Sequence, residues 1–186
     1  MKRFFDFLLS IILLVIFSLF AVLLSLILII SQGNPILFWS ERVGRNNCIF
    51  LMPKFRTMRI DTPNVATHLL KDVDNKITPI GNFLRKTSLD EFPQLFSILK
   101  GDMSFVGPRP ALYNQYDLIQ LRNKFGLEKL KPGLTGWAQV NGRDDISIQE
   151  KVKLDLQYKD LRSFRMDLKI IFLTVFKVFF SKNISH

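Results

Sequence analysis

The sequence predicts a compact α/β or mainly helical domain carried on one N-terminal membrane helix. Three observations lead there. Phe4 to Ile30 is almost wholly apolar, interrupted only by Asp6, Ser10, Ser18 and Ser25. Two later stretches, from about Ile80 to Leu99 and from Ser147 to Leu161, carry apolar residues at roughly helical spacing. Ile49-Phe50-Leu51-Met52 reads as a short strand. A chain of 186 residues holds one ordinary domain beside an anchor and not two, which divides it into an anchor, 1–32, and a domain, 33–186.

The anchor is too long for a signal-peptide core, and no small-x-small cleavage site comes after it, so it reads as retained. At about 1.5 Å per residue it reaches roughly 40 Å, against a hydrocarbon core of about 30 Å, so tilt or a kink is implied. Basic residues flank it on both sides: Lys2 and Arg3 before, then Arg42, Arg45, Lys54, Arg56 and Arg59 after. Positive charge prefers the cytoplasm, so a segment that enters and leaves by one leaflet satisfies both flanks, whereas a straight span does not. The run has no proline or glycine to turn on. Ser18, near its middle, can loosen the helix by bonding back to a carbonyl.

Gln32-Gly33-Asn34-Pro35 is the linker signal into the domain. Arg59 to Asn75 has no sustained apolar period and reads as loop plus a short helix. Asp167 to Phe180 is strongly apolar but carries Lys169, Thr174 and Lys177. It suits either a helix lying in the membrane interface or a buried core helix, and its length falls short of a span.

Charge narrows the partners. Twenty-six basic against 16 acidic residues leave a net +10, which favours lipid headgroups, nucleotides, phosphates or nucleic acid. Nucleic acid is disfavoured, since no binding fold or aromatic platform accompanies the basic residues. Cys48 is the one cysteine and there are two histidines, which excludes an intrachain disulfide and the familiar structural zinc sites. A reducing, cytoplasm-facing domain is the consequence.

Chemistry-bearing residues concentrate between Lys54 and Arg143. Ser88-Leu89-Asp90-Glu91 has the spacing of a helix capping box. Pro93 puts that helix start near Leu89 or Asp90. Asp90 is then expected at a helix N-terminus, where the dipole and free amides lower a carboxylate pKa and can hold phosphate oxygens. An ionised aspartate beside phosphate suits a nucleophile or a magnesium ligand. Gly101 to Pro110 is a turned, stiff stretch in which Arg109 sits between Pro108 and Pro110, losing little freedom on binding an anion. Lys54, Arg56 and Arg85 are further candidates for phosphate charge, or plain surface residues. Lys131 to Trp137 and Asn141-Gly142-Arg143 form a second turn-rich stretch, suited to polar recognition of a base or sugar.

Taken together, Lys54-Phe55-Arg56-Thr57-Met58, Ser88 to Glu91, Gly101 to Pro110 and Pro132 to Arg143 closely resemble the bacterial sugar transferase family. These are small monotopic phosphoglycosyl transferases acting on polyprenyl phosphate, and the resemblance covers essentially the whole chain. It implies a compact, mostly helical domain with short strands and interfacial amphipathic helices around one re-entrant anchor, at the cytoplasmic face of the bacterial inner membrane. It further implies that Asp90 attacks the sugar-bearing phosphorus of a UDP-sugar and that UMP leaves. The phosphate of undecaprenyl phosphate then takes the phosphosugar, starting O-antigen, capsule or other glycan assembly. By the same resemblance Mg2+ offsets the diphosphate charge with Asp90 as its protein contact, and Glu91 is the partner carboxylate. Arg109 with Pro108 and Pro110 is expected on phosphate; Arg85, Gln139, Asn141 and Arg143 are expected near the nucleotide-sugar. One departure stands out: Ser18-Leu19 replaces the family's usual Ser-Pro, removing the main cause of the hairpin. The alternative is a catalytically silent membrane scaffold for glycan enzymes. The sugar, the pathway and the oligomeric state are left open.

Overall fold

The computed structural model describes residues 1–62, 73–142 and 146–180. It is compact and mostly helical, with four short strands among the described residues. The N-terminal run forms α1 (Lys2–Ile16) and α2 (Ser18–Gln32), bent by 61° at Phe17. Neither helix alone is long and apolar enough to cross a membrane. The Ser18 hydroxyl donates to the Val15 carbonyl at 2.8 Å, so the local weakness expected of this serine lies at the bend itself.

After the linker, β1 (Leu37–Val43) and β2 (Ile49–Phe55) form an antiparallel hairpin in which Glu41 faces Leu51. The strand expected at 49–52 therefore runs three residues further, and its partner lacked the alternating pattern that would have announced it. Much of the polar segment read as loop lies outside the described residues, at 63–72; α3 (Val73–Lys76) closes it.

One expectation is corrected. Helical spacing predicts a single piece from Ile80 to Leu99, but the structure divides it into α4 (Pro79–Thr87), a 3-10 turn (Leu89–Glu91) and α5 (Gln94–Lys100). Ser88 adopts a left-handed conformation (φ 57°, ψ 17°) that ends α4, and Pro93 cannot donate to a continuing ladder. Nor does Ser88 cap anything with its side chain. The cap in this region is Thr78, whose Oγ1 accepts from the Gly81 amide at 3.0 Å.

Beyond α5, β3 (Ser104–Val106) pairs in parallel with β4 (Gly133–Thr135), with α6 (Tyr116–Lys124) between them in sequence. A short α7 (Trp137–Asn141) and two longer helices come next, α8 (Ile148–Leu161) and α9 (Phe164–Phe180). Ser147 caps α8 by accepting from the Glu150 amide, in the position the spacing predicts.

The main core gathers Ile98, Met103, Val106, Val140, Tyr158 and Ile170, and Leu9, Leu13 and Leu14 of α1 pack against it. Fully buried side chains such as Ile98 and Ile170 each contribute about 2 kcal/mol of hydrophobic stabilisation. Leu24 and Leu28 of α2 join a second cluster with Phe55 and Leu84. The polar interruptions of α1 also point inward. Asp6 is buried and accepts from the Ser104 hydroxyl (2.9 Å) and the Phe105 amide (3.3 Å). Lys2 pairs with Asp167 at 2.7 Å, and Arg3 donates to the Ile98 and Leu99 carbonyls at the end of α5. One face of α9 is buried at Asp167 and Ile170, while Leu168, Phe172, Val175 and Phe176 stay exposed. That helix thus combines features of both readings.

Candidate active site

The break between α4 and α5 creates the site. Because Ser88 turns the chain out of α4 and Pro93 stiffens the approach to α5, the 3-10 turn presents Asp90 inward rather than along a helix surface. Asp90 is 7% exposed. Lys54, from the end of β2, reaches across with its ammonium 2.8 Å from Glu91 Oε1 and 3.7 Å from Asp90 Oδ2. Arg109 donates to the same Glu91 oxygen through both terminal nitrogens, at 3.3 and 3.4 Å. Arg85, one helical turn before Ser88, anchors its Nε on Thr57 Oγ1 at 3.0 Å and acts electrostatically on Asp90. Two carboxylates thus meet three cations contributed by β2, α4 and the loop after β3.

Electrostatics overturn the expected sign at Asp90. The helix-terminus reading predicts a lowered pKa; instead the carboxyl is pushed above the ordinary carboxylate range. Burial is the largest cause, since it disfavours the charged form, and neighbouring Glu91 adds to it. Lys54, Arg85 and Arg109 oppose these two. α5 starts only at Gln94, so Asp90 lies outside its first turn, where a helix dipole acts most strongly. This balance is open to a charge test. Replacing Lys54 with Gln removes the strongest opposing cation, so the Asp90 carboxyl, tracked by carbon-13 resonance in the full chain, is expected to titrate at still higher pH. A shift downward, or none, would show that Lys54 does not govern this carboxylate.

Arg109 is presented by an unusually well-held strip. Gly107 donates to the Thr135 carbonyl, and the Pro108 carbonyl accepts from the Gly133 amide, both at 2.9 Å. The Pro110 carbonyl accepts from Arg42 at 3.1 Å, and that of Ala111 from the Val43 amide at 2.9 Å. Pro108 and Pro110 are both buried, while the Arg109 side chain keeps 34% exposure. The prolines serve as the mounting of the arginine.

The other expected site residues divide. Lys54, Arg85, Asp90, Glu91 and Arg109 come together. Arg56 does not join them by its bonds: it is buried at the end of the anchor, donating to the Gln32 and Gly33 carbonyls at 3.2 and 2.8 Å. Its alternation along the chain from Lys54 would place it on the same strand face, but β2 ends at Phe55. Gln139 donates to the Leu134 carbonyl, and its Oε1 is buried without a partner. Asn141 is exposed and bonds the Trp137 carbonyl. Arg143 lies outside the described residues. Sequence reasoning missed Arg122, which donates to the Arg109 carbonyl, Asp155, which holds Arg122, and Tyr158, whose hydroxyl donates to the Val106 carbonyl just before the strip. Their only signal is that Asp155 and Tyr158 stand three apart on one face of α8.

No group of three or more His, Cys, Asp or Glu side chains suited to a metal is found among the described residues. Glu91 is engaged by Lys54 and Arg109. The donor set therefore makes no protein-only cage. A cation held here would have to keep most of its waters and take a single carboxylate from the protein.

Known proteins resemble this chain over nearly its whole length. The family model described as "Bacterial sugar transferase" matches residues 1–181. The "Uncharacterized sugar transferase EpsL" of Bacillus subtilis (strain 168) is 41% identical over 184 residues, covering 99% of this chain and 90% of the relative. The "UDP-glucose:undecaprenyl-phosphate glucose-1-phosphate transferase" of Escherichia coli (strain K12) is 40% identical over 98% of this chain. The "Undecaprenyl-phosphate galactose phosphotransferase" of Salmonella typhimurium is 38% identical over 94%. The chain spans only 41% and 39% of these last two relatives.

Proposed function

The chain belongs to the bacterial sugar transferase family, and from that premise we propose that it transfers a sugar 1-phosphate from a UDP-sugar to undecaprenyl phosphate, releasing UMP. The observation that carries this reading is Asp90 itself: a buried carboxylate set among Lys54, Arg85 and Arg109, with Glu91 beside it. Three fixed cations around one carboxylate suit a reaction in which a diphosphate must approach an anion.

In the first step an Asp90 carboxylate oxygen forms a bond to the sugar-bearing phosphorus, the phosphoanhydride bond breaks, and UMP departs with the bridging oxygen. In the second, a phosphate oxygen of undecaprenyl phosphate attacks the same phosphorus, and the aspartyl bond breaks to restore the carboxylate. Arg109, mounted between its prolines, binds phosphate oxygens, and Arg85 lies on the donor side. Lys54 favours the ionised form of Asp90, opposing the effect of its burial. Glu91 orients Lys54 and Arg109 through the oxygen they share. Magnesium, when bound, supplies countercharge to the diphosphate, with Asp90 as its contact from the protein.

The same proposal places the bent pair α1 and α2 in one leaflet of the inner membrane, entering and leaving on the cytoplasmic side. The 61° bend and the Ser18 bond to Val15 support re-entry although no proline is present. The exposed apolar faces of α1 and α9 suit lipid contact.

The decisive experiment measures UMP release from a panel of UDP-sugars by the full chain extracted from membranes, with undecaprenyl phosphate and magnesium. Lipid-dependent release of UMP from one or a few donors is expected. Silence from well-folded protein across a broad panel would instead favour the scaffold.

A further inference from the structure

Resting on this reading of Arg109 as a phosphate ligand, we infer that Asp155 and Arg122 are positioning residues that set its placement from behind. Arg122 is held by Asp155 through Nε at 3.0 Å and Nη2 at 2.7 Å, leaving Nη1 to donate to the Arg109 carbonyl at 2.9 Å. Arg122 is 9% exposed and Asp155 1%. The pair joins α6 to α8 and meets the site through the backbone of Arg109.

The geometry suits positioning better than plain stabilisation. A buried ion pair contributes little net stability compared with apolar side chains of similar volume, so stability alone is a weak reason to keep one here. What an aliphatic side chain cannot supply is a rigid planar donor with two nitrogens fixed on a carboxylate and the third aimed at one carbonyl. On either side of that carbonyl, those of Pro108 and Pro110 are taken by Gly133 and Arg42. Neither proline has an amide to donate, so the strip depends on donors brought from outside. Behind it a cavity of only about 30 Å³, lined in part by Pro108, Pro110 and Arg122, leaves the prolines little room to move inward. Losing the Arg122 donor loosens the backbone from which the Arg109 guanidinium is aimed.

Two measurements on the full chain test this. Arg122→Lys keeps a positive charge against Asp155, but one ammonium cannot span both partners. Hydrogen exchange at the amides bonded in the strip, that of Gly107 and those of Gly133 and Val43 that donate to the Pro108 and Ala111 carbonyls, is expected to quicken in this variant while exchange within α8 stays as in the parent. Unchanged exchange in the strip overturns the inference whatever the activity. In the second measurement Asp155→Asn and Arg122→Lys are each expected to raise KM for the UDP-sugar and lower kcat/KM by about 10- to 100-fold, the order of loss a misplacement of about 1 Å brings. In an Arg109→Ala background neither is expected to cost anything further, because both act through Arg109. Equal losses in both backgrounds would mean a general structural role. If Asp155→Asn does not fold, Arg122→Lys alone completes the cycle. Should the parent release no UMP from any donor, the functional reading falls, and the exchange result still decides this one.

Discussion

Asp90→Asn is expected to abolish transfer and, at neutral pH, to raise the melting temperature. The first half rests on the proposed chemistry, because an amide cannot form the aspartyl phosphosugar bond; a loss of about 10⁴-fold or more is the scale when a covalent enzyme loses its nucleophile. The second half rests on burial. The Asp90 carboxyl lies above its ordinary range in the folded chain, with burial as the leading cause. A carboxyl raised on folding contributes stability while protonated, below its unfolded value, and loses it as pH rises through the folded value. At neutral pH the buried carboxyl therefore costs stability, and the isosteric neutral amide removes that cost. Each 1 kcal/mol recovered moves Tm by about 2–4 °C in a chain of this size. Thermal melts at pH 7 and again below the unfolded carboxyl's pKa check the assignment: the two proteins should differ at neutral pH and converge in acid. Retained UMP release in the variant would remove Asp90 as nucleophile. A lower Tm at pH 7 would mean that the three cations outweigh burial.

Gly133→Ala is the second large effect, and it acts on the fold. In β4, Gly133 lies so close to the end of β3 that an added Cβ would collide with backbone atoms of Gly107 and with the Thr135 carbonyl. These are main-chain atoms of a hydrogen-bonded parallel pair, so no side-chain rotation can relieve the clash. We expect destabilisation of about 3 kcal/mol, at the upper end for overpacking, with loss of the Gly133 to Pro108 bond that mounts Arg109. Activity should fall with it. Chemical denaturation of the purified chain measures the first quantity, and a midpoint like the parent's would show that β3 and β4 separate easily.

Legibility differed by the range of the interaction. Helix α8 was readable because its cap, Ser147, and its apolar spacing are local. So was the weak point in the N-terminal run, since a serine bonding back three residues needs no distant partner. The Ile80 to Leu99 stretch misled for the opposite reason. Its apolar spacing is helical throughout, but Ser88 in a left-handed conformation and Pro93 each interrupt the ladder, and an S-x-x-E spacing does not ensure a cap. At the site, the carboxylate pair and Arg109 stood out by residue type and stiffness. Arg56 looked equivalent to Lys54, yet it is buried against the end of α2, 24 residues earlier in sequence.

By itself the sequence determined that the chain begins with a long apolar run weakened at Ser18, that short strands and several helices come after it, and that one Asp-Glu pair and one proline-flanked arginine are the candidates for the chemistry. Each of these is decided by residues within a turn or two of one another. Tertiary structure alone decided the charge balance at Asp90, the burial of Asp6 against Ser104, and the support of Arg109 by Arg122 and Asp155. The physical reason is that desolvation and ion pairing depend on which surfaces are folded over a group. Here those partners lie 98 residues apart for Asp6 and Ser104, and 33 apart for Arg122 and Asp155.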